Sequence, residues 1–147
     1  MAHSYDSEYP PGAAVAPGIA QFISDFYALS DTPGDTPGAH ERYVDAFTAD
    51  ATFILASKKS VGSEEIRATR EGMWAKVASR RHTVNKVFPF GANSEELMLY
   101  GSVAFTFKAG GGAEVDWAGR AQLEKSADGK YRLKFYQVYL DTGAYSK

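Results

Sequence analysis

The sequence contains no cysteine, which excludes disulfides, a thiol nucleophile and zinc held by thiolates. It lacks any apolar run close to the ~20 residues that a membrane-crossing helix needs. It also lacks an excess of positive charge. Sixteen Lys and Arg stand against eighteen Asp and Glu, with a net charge of −2 and no basic block, so nucleic acid is not an expected partner. The first residues, Met-Ala-His-Ser-Tyr-Asp, hold neither a basic leader nor an apolar signal core, and a cytoplasmic protein is expected. The three histidines, His3, His40 and His82, are too dispersed for metal-ligand spacing. Gly110-Gly111-Gly112 has no strand-then-helix context for a phosphate loop, so neither metal nor cofactor is expected.

What is present is aromatic. Nine Phe, nine Tyr and two Trp make 14% of the 147 residues, enough to build the core of one domain and to line an apolar pocket. Residues 1–17, with three prolines and no period, form an N-terminal arm, ordered only where it packs on something; residues 18–147 form the domain. Ile19, Phe22, Ile23, Phe26 and Tyr27 place an apolar stripe on a first helix, which stops at Ser30-Asp31-Thr32-Pro33-Gly34. A short second helix is expected over about 40–47, and a strand over 51–56. Residues 57–62 read as a polar turn. Ser63 is the expected N-cap of a third helix, with Glu64 and Glu65 in its first turn, ending near residue 79.

From there strands dominate, at about 81–90, 97–107, 114–125 and 131–141. Leu97, Leu99, Gly101, Val103, Phe105 and Phe107 repeat with period two, as do Val115, Trp117, Ala121 and Leu123, so each strand buries one face. Asp128-Gly129 marks a hairpin. Three helices in the first half followed by an antiparallel meander predict an α+β fold. In it, a cone-shaped, strongly curved antiparallel sheet takes the helices on its concave face, a cystatin-like roll around an apolar interior.

This succession resembles the nuclear transport factor 2-like superfamily, in its SnoaL-like branch, over roughly residues 18–143. The resemblance is carried by Phe26-Tyr27-Ala28-Leu29-Ser30-Asp31, by the stretch from Phe47 to Phe53, by Gly62-Ser63-Glu64-Glu65-Ile66, by Arg81-His82 and by Tyr139-Leu140-Asp141. It implies a ligand-holding cone and, in several branches, cofactor-independent proton transfer. Where ketosteroid isomerase has its carboxylate base, this chain has Ile54 and Leu55. The closest local similarity is to scytalone dehydratase, whose first strand histidine corresponds to His82 and whose second falls where Phe107 stands.

His82, whose unperturbed pKa of ~6.5 suits acid–base work near neutrality, is the expected catalytic group. Tyr27 and Asp116 are expected to orient a carbonyl beside it. Trp74, Phe105, Phe107, Trp117, Gln122 and Tyr136 are the expected substrate-binding residues. The expected ligand is a small apolar or aromatic molecule, for dehydration, isomerisation or cyclisation of a polyketide- or terpenoid-like compound. The alternative is a non-enzymatic ligand-binding or dimerisation module. The semi-apolar outer positions Met98, Tyr100, Ser102, Ala104 and Thr106 suggest a homodimer through the sheet.

Overall fold

The computed structural model describes residues 3–143. The apolar stripe forms helix α1, Pro17–Ser30, with proline in its first turn where no amide partner is needed. Helix α2, Ala39–Asp45, leads through Ala46 into strand β1, Phe47–Leu55. The stretch read as a polar turn is instead a short strand, β2 (Lys58–Val61), antiparallel to β1, its two lysines guarding the sheet edge.

Helix α3, Gly62–Trp74, begins one residue ahead of the expected cap. Ser63 makes no capping bond. Glu65 reaches back instead, its carboxylate accepting the Val61 amide at 2.9 Å. The helix also ends earlier than its apolar residues suggest, because Val77 has left it and pairs with Phe107 in the sheet. Strands β3 (Val77–Pro89), β4 (Glu96–Phe107), β5 (Gly112–Lys125) and β6 (Tyr131–Leu140) make the expected antiparallel meander. The order is β2-β1-β6-β5-β4-β3, with β1 parallel to β6, so the six-stranded sheet is mixed.

Period-two burial holds along β4 and β5, whose odd residues face the helices and whose even residues face outward. Curvature comes from register shifts in the ladder. One lies between Val84 and Lys86 of β3, opposite Gly101 of β4. There the two backbones approach so closely that a Cβ on Gly101 would overlap the Thr83 carbonyl oxygen. The arm packs, as it must to be ordered: Glu8 bridges Lys86 at the outer edge of β3, and its amide donates to Asn85.

Two glycine substitutions separate these constraints. Gly101→Ala forces the β3–β4 pair apart and is expected to cost about 3 kcal/mol in urea unfolding. Gly72→Ala, on an exposed turn of α3 with open space around it, is expected to add about 0.5–1 kcal/mol. Equal effects at the two positions would contradict the close approach.

Candidate functional site

Asp31 sits immediately after α1, at its C-cap, where the helix dipole disfavours a negative charge. Three donors hold it there. The His82 ring donates from Nδ1 to Oδ1 at 2.6 Å, the His82 amide donates to Oδ2 at 2.6 Å, and the Tyr5 hydroxyl donates to Oδ2 at 2.8 Å. The Asp31 side chain is 4% exposed and that of His82 13%. With Nδ1 committed to the carboxylate, Nε2 carries the lone pair, and it is hydrogen-bonded to none of the described residues.

The backbone on either side of Asp31 is held by Arg70 of α3, which is fully buried. Its guanidinium donates to the carbonyls of Leu29, Ser30 and Thr32, closing the C-terminal end of α1 on both sides of Asp31. Burial pulls the guanidinium down to about 10, and the nearby Asp31 charge opposes that shift. Its faces are covered by the Tyr43 and Trp74 rings at 4.9 and 5.3 Å.

Around the imidazole stand Tyr27, tilted at 5.1 Å, and Trp117, edge-on at 5.6 Å; the Trp117 Nε1–H is buried with no partner among the described residues. The Tyr27 hydroxyl meets that of Tyr136 at 2.7 Å, both rings being buried. Burial pushes both phenols far above their ordinary range, so both are neutral donors rather than bases.

Solved structures share this architecture. Nuclear transport factor 2 of Cryptosporidium parvum superposes with a TM-score of 0.66 at 12% identity, over 88% of this chain and 100% of that one. The fold is NTF2-like. ActVI-ORFA of Streptomyces coelicolor matches the NTF2-like core at 0.64 and 21% identity, over 84% and 95% of the two chains. A scytalone dehydratase-like protein of Novosphingobium aromaticivorans matches at 0.72 and 13%, over 85% and 83%. No protein-family model matches the sequence, and no curated protein matches it.

The NTF2-like scaffold gathers some of the predicted residues and scatters others. His82, Tyr27, Trp117 and Tyr136 do converge. Trp74, Phe105 and Phe107 lie further along the interior, where Arg80 is sandwiched between Trp74 and Phe105 at 5.2 and 5.0 Å. Asp116 and Gln122 do not take part. The even face of β5 turns outward, leaving Asp116 exposed and Gln122 bonded to Glu96.

The expected open hollow is also corrected, because aromatic side chains occupy it. Phe26 packs on Tyr27, Tyr43, Phe47 and Tyr136, and Phe53 stacks on Tyr136. A cavity of about 960 Å³ opens near Asp45, Arg67 and Arg132, and neither it nor four smaller ones elsewhere is lined by His82, Tyr27 or Tyr136.

Sequence reasoning passed over Asp31, Arg70 and Tyr5 as site residues. Two had a signal: an acid at the end of a helix, and a base at i+4 between Ile66 and Trp74 on an apolar stripe. Tyr5, in an arm without a period, had none.

The tyrosine pair makes a clean double-mutant cycle. Tyr27→Phe or Tyr136→Phe alone leaves one buried hydroxyl unpartnered and is expected to cost about 1–3 kcal/mol in denaturant unfolding. The double variant is expected to cost no more than either single one. Additive losses would mean that the two hydroxyls are independent.

Proposed function

We propose that this protein binds a small, largely aromatic molecule at the Asp31–His82 pair and moves a proton on it without a cofactor. The observation that carries this reading is the wiring of the imidazole: a buried carboxylate holds Nδ1–H and leaves Nε2 as the basic atom, beside Tyr27 and Trp117. The scytalone dehydratase-like neighbour supports a dehydratase, and the reading keeps isomerisation or cyclisation of a polyketide- or terpenoid-like compound beside it.

In a dehydration, Nε2 takes a proton from carbon and the imidazolium is steadied by Asp31. The neighbouring C–O bond then breaks as the same nitrogen delivers that proton to the departing oxygen. Water leaves, a double bond remains and the imidazole is restored. Of the bonded hydroxyls Tyr27 and Tyr136, the one that accepts from the other keeps its own proton, and it and the Trp117 Nε1–H are the donors available to orient a carbonyl.

The test begins with mass spectrometry of whatever small molecule co-purifies with the protein. With that compound as substrate, His82→Gln is expected to lower turnover at least 100-fold while changing affinity by less than threefold. Unchanged turnover removes His82 from the chemistry. One observation favours a second reading, a non-catalytic binding module: the interior is filled by the protein's own rings. Binding without turnover in the unaltered protein would select it.

The reading includes a cytoplasmic homodimer through the outer sheet face, where Phe88, Met98, Tyr100 and Tyr139 are each more than 40% exposed and Phe88 stacks on Tyr100. A stable pairing needs about 800 Å² from each partner. Sedimentation is expected to give a dimer for the unaltered protein and a monomer for Tyr100→Glu. A monomer in both cases removes the dimer.

A further inference from the structure

The dyad of Asp31 and His82 is closed from outside by the N-terminal arm. Residues 3–9 are extended and alternate in exposure, with His3, Tyr5, Ser7 and Tyr9 turned toward the domain and Ser4, Asp6 and Glu8 toward solvent. His3 donates from Nε2 to the His82 carbonyl at 2.6 Å and packs edge-on against Tyr5 at 4.9 Å. Tyr5 in turn places its hydroxyl on Asp31. A phenol of the protein's own chain therefore sits on the carboxylate of the proposed site, next to its imidazole.

The Tyr5 and Tyr9 rings of this segment pack against the core, but its backbone is held by fewer hydrogen bonds than the other walls. β3 is paired with β4 along nearly its whole length, and α1 is tied down by Arg70. Among the described residues the arm's backbone pairs with the sheet at Glu8 alone, whose amide donates to Asn85 and whose carbonyl accepts from Val87. The Glu8–Lys86 ion pair is long, at 4.0 Å, and exposed. Behind Glu8 come Pro10, Pro11 and Gly12, the last at φ +74°, a conformation that favours glycine. They form a turn closed by the Ala13 amide on the Pro10 carbonyl at 3.3 Å, and the chain is tied to the domain again at Ala14, whose carbonyl accepts the Asn93 amide at 2.8 Å. These residues make a pivot between two anchors.

We propose that residues 3–9 are a strap which lifts about residues 10–12 to admit a hydroxylated aromatic ligand, whose hydroxyl replaces the Tyr5 phenol on Asp31. The inference rests on the ligand-binding reading above and adds to it both a way in and a chemical class. Hydroxyl-for-hydroxyl exchange keeps Oδ2 supplied with a donor in both states, so the carboxylate never faces an empty site. Without that exchange, opening would leave a desolvated acceptor with one partner fewer.

Because the sequence has no cysteine, a single engineered disulfide tests this cleanly. In Glu8→Cys/Lys86→Cys the bridged pair is locked when oxidised and free when reduced. The probes are 2-naphthol and naphthalene, with binding at the dyad read from the His82 ring signals by NMR. Oxidation is expected to weaken 2-naphthol binding at least tenfold. Tyr5→Phe, which loses the latch, is expected to tighten it threefold or more, and naphthalene is expected to bind at least tenfold more weakly than 2-naphthol.

Equal affinity of the oxidised and reduced forms overturns the strap while leaving the ligand reading standing. Naphthalene binding as tightly as 2-naphthol overturns the hydroxyl exchange. Absence of binding to both the reduced and the Tyr5→Phe proteins overturns the ligand reading, and the proposal with it.

Discussion

A carboxylate at the wrong end of a helix organises this protein. Asp31 follows α1 where the carbonyl dipoles already point outward, and left alone it would destabilise that terminus. It is accommodated there because His82 and Tyr5 donate to it directly and because Arg70 takes up the helix carbonyls beside it. The same contacts join α1, α3, β3 and the arm. Folding and site assembly are thus one event: the groups that neutralise a local strain are the groups that orient the imidazole.

The aromatic content serves this centre in two ways. Phe26, Phe53, Tyr43 and Phe47 fill the space between the helices and the sheet, and so give the low-polarity surroundings in which the Asp31–His82 bond is strong. Tyr27, Tyr136 and Trp117 bring polar atoms to the edge of that filling, near the ring. Arg70 is the most heavily committed of the group. It is buried, its faces are covered by rings, and its two terminal nitrogens are spent on backbone carbonyls, so its part is to position Asp31.

Much of the fold was legible in the sequence because period-two and helical stripes report burial directly. β4 and β5 face as their odd and even residues predict, and His82 and Tyr27 emerge as neighbours. The errors have physical causes. β2 is too short and too polar to show a period, and it exists because β1 offers an edge. Asp116 and Gln122 were expected at the site, although their even positions on β5 already assigned them to the outer face. Asp31 looked like loop punctuation beside Pro33 and Gly34, since its partners lie 26 to 51 residues away in sequence. The filling of the interior could not be read from composition, because twenty aromatics are equally consistent with a lined hollow and a packed one.

The account stands on the direction of one hydrogen bond, from the His82 ring to Asp31. Nitrogen chemical shifts of the His82 ring, measured by NMR in the unaltered protein and in Asp31→Asn, test it most directly. The account predicts a proton on Nδ1 in the unaltered protein and a change in that nitrogen's environment when the carboxylate becomes an amide. An Nδ1 without a proton in the unaltered protein, with the hydrogen on Nε2 and no response to Asp31→Asn, would contradict it.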